Sequence, residues 1–253
     1  MRGCVIGTLF LLATEITVNG HYVFSKFLID GAETPDWQYF RPIPEQPANP
    51  EYDRRLDPIY DVDSVDMRCN RNGSTAGYGV ATLTLPAGQE VGFGVANNSR
   101  FMSLGRNGRI FHQGPGQAYL SRAADGDLES YEGDGDWFKI GEYGVKDATH
   151  WVLDQHEYWL NFTIPETTPP GKYLFRVEQM FLRDPGLVQF YISCAHVEIF
   201  GPGGGRPGPL VQFPGAYKKN DSNINIPREH SMLPPMNLLN PKYVNPGPGV
   251  WTG

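Results

Sequence analysis

The sequence predicts an all-β sandwich, on three observations. Thirty glycines and twenty-two prolines cut the chain into short pieces. Within the pieces apolar residues alternate with the period of two that a half-buried strand requires, and no window sustains a helical period. Seven strands follow in order, each closed by residues that break a ladder. His21–Ile29 ends at Asp30-Gly31, and Ala81–Leu85 at Pro86. Val91–Val95 lies between Gly88 and Asn97-Asn98, and Gln117–Leu120 follows Gly114-Pro115-Gly116. Trp159–Ile164 stops at Pro165, Lys172–Leu182 begins after Pro170-Gly171, and Val188–Phe200 stops at Gly201-Pro202.

Two stretches resist a strand reading: Asp36–Asp63, rich in proline and charge, and the Gly- and Pro-rich tail 201–253. Long loops in a compact domain are usually functional or disordered. The tail carries Phe213, Tyr217, Leu238, Leu239, Tyr243, Val250 and Trp251, which favours packing over the domain against a free linker. Residues 21–253 fit one domain, with no internal repeat and no appended second module.

Residues 1–20 read as a secretory signal peptide: Arg2, an apolar run from Cys4 to Ala13, then a polar stretch ending at the small residue Gly20. An apolar run of about ten residues is too short to span a membrane, which needs roughly twenty. The expectation is therefore a secreted, extracellular protein without a membrane partner. With Cys4 removed, Cys69 and Cys194 remain as an even pair in an oxidising compartment, which favours a disulfide over two free thiols. Such a bridge contributes about 4–5 kcal/mol in the chain-entropy model. The formal net charge is −7 with scattered basic residues, which argues against a nucleic-acid partner. Sequons at Asn72, Asn97, Asn161 and Asn220 are consistent with a secreted glycoprotein.

Cleavage after Gly20 would make His21 the N-terminus. An N-terminal histidine offers two donors, the α-amino nitrogen and a ring nitrogen, and the amine loses its proton to a metal near neutral pH. One more imidazole completes a three-nitrogen set of the tetragonal kind that suits copper(II). His112, in Phe111-His112-Gln113-Gly114-Pro115, is a candidate, although alone it is most simply a polar loop histidine. On the last predicted strand Gln189 and Tyr191 share one face, with Cys194 and His196 on the other. A phenol beside a carboxamide suits an axial ligand and a hydrogen-bonding group for bound oxygen, or equally two polar residues satisfied in the core.

From His21-Tyr22-Val23-Phe24 onward the chain resembles the fungal lytic polysaccharide monooxygenases of auxiliary activity family nine, once classed as glycoside hydrolases. The resemblance continues through Asp36-Trp37-Gln38-Tyr39, Asp61-Val62-Asp63-Ser64 leading to Arg68-Cys69, His112 with Gly114-Pro115, and Trp137-Phe138-Lys139-Ile140. It ends with Pro170-Gly171-Lys172-Tyr173-Leu174, Gln189-Phe190-Tyr191 before Cys194, and Pro246-Gly247-Pro248. It implies an immunoglobulin-like antiparallel β-sandwich whose long loops form a flat face. One copper ion would be braced there by His21 and His112, with Tyr191 axial, Gln189 positioning the oxygen species, and Cys69 paired with Cys194. An electron donor and hydrogen peroxide or dioxygen would be co-substrates, and C1 or C4 of cellulose or a related β-glucan would be oxidised, the protein acting as a monomer. Tyr243 resembles the substrate-facing tyrosine of the C-terminal loop, and Tyr39 and Tyr52 are further candidates in the long first loop.

Two departures stand out. Arg183 occupies the place of a second histidine near the copper; arginine stays charged and only donates, so proton relay there would be lost and a nearby cation would favour copper(I). The segment Asn97–Arg109 is longer and more basic than its counterpart and reads as an insertion. A weakly catalytic or non-catalytic copper-binding protein with the same brace is therefore the alternative function. A hydrolase using Glu178 and Glu198, and a non-catalytic carbohydrate-binding domain, are the remaining readings.

Overall fold

The computed structural model describes residues 20–44, 54–96, 108–154, 157–230 and 239–253. Residues 1–19, and with them most of the expected signal peptide, lie outside the described residues, as do Tyr52, Asn97 and all of the 97–109 segment except Gly108 and Arg109.

Among the described residues nine strands form two sheets: β1 (Phe24–Ile29), β2 (Ala32–Glu33), β3 (Leu83–Pro86), β4 (Glu90–Val95), β5 (Gly116–Arg122), β6 (Trp137–Tyr143), β7 (Trp159–Thr163), β8 (Gly171–Leu182) and β9 (Val188–Phe200). One sheet has the order β2-β1-β4-β7 and the other β3-β9-β8-β5-β6. Neighbours are antiparallel except at one edge, where β3 runs parallel to β9 with Leu83 opposite Val197. The seven predicted strands are present, their ends displaced by three residues at most. β2 and β6 were not predicted. The described helical turns are all of the short 3-10 kind, and none is long and apolar enough to cross a membrane.

The sheets close on an aromatic core. Phe27 and Phe93 from the first sheet meet Phe175 from the second, Phe93 and Phe175 edge to face at 4.8 Å. The central strands β8 and β9 are buried on both faces, so their apolar residues fall on both sides of the sheet and the buried polar ones, such as Arg176, Glu178 and Gln179, are hydrogen-bonded. Along β9, Tyr191, Ala195 and Val197 point into the sandwich, whereas Phe190, Ile192 and Cys194 point outward into a second core. That outer core is roofed by Ile59 and Val62 from the first long loop, by Met67 and Cys69 just after it, and by Phe213, Tyr217, Ile224 and Ile226 from the tail. The two stretches without strands thus cover a sheet face. Cys69 and Cys194 form a disulfide with Cα atoms 5.1 Å apart, tying the loop to β9. The tail is further fixed where Trp137 exchanges backbone hydrogen bonds with Val211 and where Trp251 N–H donates to Lys139 O at 2.8 Å.

Beneath the roof Arg176 and Glu178 form a fully buried ion pair. Glu178 Oε1 also accepts from Gln117 Nε2 at 2.8 Å and from the Tyr217 hydroxyl at 2.9 Å. Glu178 lies opposite Ile192, six residues along β9 from Glu198. That is about 20 Å at the usual rise per residue, too far for paired-carboxylate hydrolysis, which needs roughly 5–9.5 Å.

Candidate metal centre

The end of the sandwich that carries the start of β9 gathers His21, His112, Gln189 and Tyr191. Tyr191 is buried, and its ring centroid is 6.2 Å from that of His21 and 5.6 Å from that of His112. Its hydroxyl donates to Gln189 Oε1 at 2.7 Å, so the two side chains act as one unit on the inward face of β9. Gln189 Nε2 donates in turn to the Tyr60 hydroxyl at 3.3 Å. Tyr22 stacks on Tyr191, centroids 4.2 Å apart and planes 12° from parallel, and its own hydroxyl donates to Gln179 Oε1. Burial raises the Tyr22 phenol well above its usual range, so it stays protonated and holds that bond.

His112 is presented by a loop held at both ends. Ile110 N–H donates to Glu157 O at 2.7 Å, Gly114 N–H to Leu153 O at 3.2 Å, and Met180 N–H to Pro115 O at 2.8 Å. Gly114 has φ of +142°, which any side chain would disfavour, and this turn lets the loop enter β5 directly behind the imidazole. Phe181 lies flat on the ring, centroids 4.1 Å apart and planes 10° from parallel.

A site of this kind requires the His21 nitrogen to lie beside His112. A Cβ at Gly20 would fall 2.9 Å from His112 Cε1 and 2.3 Å from Phe111 Cδ1, so the backbone entering His21 runs against that imidazole. Two imidazoles, a phenol oxygen and, in a chain beginning at His21, an α-amine thus converge, and this donor chemistry fits copper. Among the described residues no group of three or more His, Cys, Asp or Glu side chains forms another metal cluster.

The remaining expected residues are placed differently. Arg183 is exposed at the turn after β8, its backbone N–H donating to Phe181 O at 2.9 Å. Tyr243 is half-buried, edge-on to Trp151 at 5.1 Å, with its hydroxyl on Asn223 O at 2.9 Å. Tyr39 packs beside Phe27 and next to Phe40, which bridges Ala195, four residues up β9 from Tyr191 and so about 13 Å from it along the strand. Tyr39 is not brought to the site. Asn72, Asn161 and Asn220 are all exposed.

Four residues at the site escaped the sequence reading: Asp57, Tyr60, Gln179 and Phe181. Ile59 exchanges two 2.9 Å backbone hydrogen bonds with Phe190, which delivers Tyr60 to Gln189. Asp57 Oδ1 lies 3.3 Å from His21 Nδ1. The one available signal was that the long first loop carries aromatic and acidic residues in quantity. Nearby, Arg109 lies over the ring of half-exposed Tyr158 at 4.4 Å.

Comparison with known proteins gives one consistent result. Residues 21–233 match the family model of Auxiliary Activity family 9 (formerly GH61), the first matched residue being His21. The AA9 family lytic polysaccharide monooxygenase U of Thermothielavioides terrestris is 41% identical over 245 residues, covering 92% of this chain and 93% of the relative. Lytic polysaccharide monooxygenase C of Emericella nidulans is 40% identical over 258 residues, covering 98% and 99%. Among solved structures, a cellulose-active polysaccharide monooxygenase from M. thermophila superposes with a TM-score of 0.69 at 24% identity, covering 92% of this chain and all of that one, a likeness of fold.

Proposed function

Since the chain belongs to Auxiliary Activity family 9, whose members are copper-dependent oxidoreductases that cleave polysaccharides, we propose that it is secreted and cuts cellulose or a related β-glucan, oxidising C1, C4 or both. The observation that carries this reading is the convergence of His21 and His112 on Tyr191, with the backbone at His21 running against His112.

In this reading His21, through its ring and freed α-amine, and His112 would hold one copper ion, with the buried Tyr191 phenol beside them. Bound copper, once reduced by an external donor, would supply the redox chemistry by which hydrogen peroxide, or dioxygen with two electrons and two protons, hydroxylates a C–H bond beside a β-1,4 linkage, after which the hydroxylated carbon expels the glycosidic oxygen. Gln189 is the hydrogen-bonding group toward the oxygen species. Its carbonyl is engaged by Tyr191, which fixes the amide so that Nε2 points outward toward Tyr60. Phe181 and Tyr22 hold the rings of His112 and Tyr191 from behind. Half-exposed Tyr60 beside Gln189 is the aromatic best placed to meet a sugar ring, ahead of Tyr243, and supports an open surface as the substrate platform.

The reading depends on a free amine at His21. A match to the family that begins at His21 supports cleavage after Gly20. The experiment compares copper(II) binding by protein beginning at His21 with protein retaining Gly20. The brace requires tight binding and a tetragonal nitrogen-rich EPR signal from the first and a large loss in the second, where the nitrogen is an amide. Equal binding by both would refute it.

A further inference from the structure

We propose that Asp57 is a positioning residue of this centre, a carboxylate that sets the charge around a copper ion held at His21 and so favours the divalent state. The proposal rests on the brace reading above.

Asp57 Oδ1 stands 3.3 Å from His21 Nδ1, with the two side chains only 26% and 21% exposed. The contact is built rather than incidental. The Arg71 guanidinium donates to three successive parts of the loop carrying Asp57: to the carbonyls of Arg55 at 3.3 Å, of Asp57 itself, and of Pro58 at 3.4 Å. Two residues on, the Ile59–Phe190 bridge fastens the same loop to β9 between Gln189 and Tyr191. A carboxylate is thus fixed against one of the two expected imidazole ligands from a loop pinned on both sides.

Cu(II) carries one more positive charge than Cu(I), so a fixed anion nearby stabilises the oxidised ion more. Arg183, which from sequence alone would push the balance the other way, is exposed at the β8–β9 turn, where solvent screens its charge. Asp57 therefore opposes the arginine and dominates because it touches His21 and is less exposed. His21 Nδ1, the nitrogen the carboxylate faces, is the one that closes a chelate with the α-amine, so the charge of Asp57 acts on an ion held there.

The test uses protein beginning at His21 and its Asp57→Asn and Asp57→Glu variants, with Cu(II) and Cu(I) affinities from chelator competition and the midpoint potential from an EPR-monitored redox titration. Thermal unfolding of the copper-free proteins checks that the fold is intact. Asp57→Asn is expected to weaken Cu(II) binding about tenfold relative to Cu(I). That ratio corresponds to a rise of about 59 mV. Asp57→Glu, which keeps the charge, is expected to recover most of the difference. Equal changes in the two affinities, or none, would overturn the proposal while leaving the brace intact. Failure of the unsubstituted protein to bind Cu(II) would overturn the brace reading, and the proposal with it.

Discussion

Phe181 and His112 lie face to face, their rings 4.1 Å apart and 10° from parallel. The imidazole is thus held by a loop on one side and by the β8 strand on the other, and these contacts set its plane. Aromatic contacts of this kind are worth about 0.5–1.5 kcal/mol beyond the area they bury. Phe181→Ala should therefore weaken copper(II) binding by about two- to tenfold, whereas Phe181→Tyr should leave it near the original value. Isothermal titration in competition with a chelator reads both.

Gln189 and Tyr191 are predicted to separate binding from turnover. Tyr191→Phe keeps the ring stacked on Tyr22 and leaves both histidines in place, so copper should still bind, with an altered EPR spectrum. Gln189→Ala should retain the metal but lose about 10–100-fold in turnover, the usual effect of removing an outer-shell partner. Rates and spectra taken on the same preparations check the pair.

Stability should fall in acid because of His196. This side chain is fully buried, and its Nε2 accepts from Arg41 Nε at 2.9 Å. Burial, then the Arg41 charge, lowers its pKa from 6.5 to about 3. Below about pH 6.5 the unfolded chain takes up a proton that the folded protein refuses, so stability is complete above that pH and drains toward about pH 3. The slope is about 1.4 kcal/mol per pH unit from this group. His196→Gln, which can still accept from Arg41, should flatten the fall in melting temperature between pH 6.5 and 4.5.

The buried pair Arg176–Glu178 yields a large stability effect at neutral pH. Glu178→Gln leaves a guanidinium without its counter-charge inside the outer core, a change that typically costs about 3–5 kcal/mol. Urea unfolding of copper-free protein should show a lower midpoint with little change in slope.

How much of this was legible in the sequence follows from what each feature depends on. Seven strands could be read because alternation and turn residues are local. β6 was missed because Lys139 and Gly141 interrupt its apolar pattern; Lys139 is nonetheless buried, donating to Glu142 at 2.7 Å and to Pro246 O at 3.0 Å, partners a local pattern does not reveal. β2 is two exposed residues and carries no pattern at all. His21, His112, Gln189 and Tyr191 were legible because they sit in recognisable motifs. Tyr39 and Tyr60 look alike as loop aromatics, and only the Ile59–Phe190 and Phe40–Ala195 bridges, which fix each at a different height on β9, tell them apart. Asp57 depends on Arg71 in the same way. These contacts are products of the chain path, to which residue type gives no guide.

The most direct test of oxidative cleavage is the mass of the soluble products released when copper-loaded protein beginning at His21 is incubated with cellulose, ascorbate and a controlled supply of hydrogen peroxide. The brace with Gln189 and Tyr191 predicts aldonic acids, C4-oxidised ends or both, appearing only when copper and reductant are present. Unoxidised oligosaccharides released without either, or no products from any β-glucan by a protein that binds copper tightly, would contradict it.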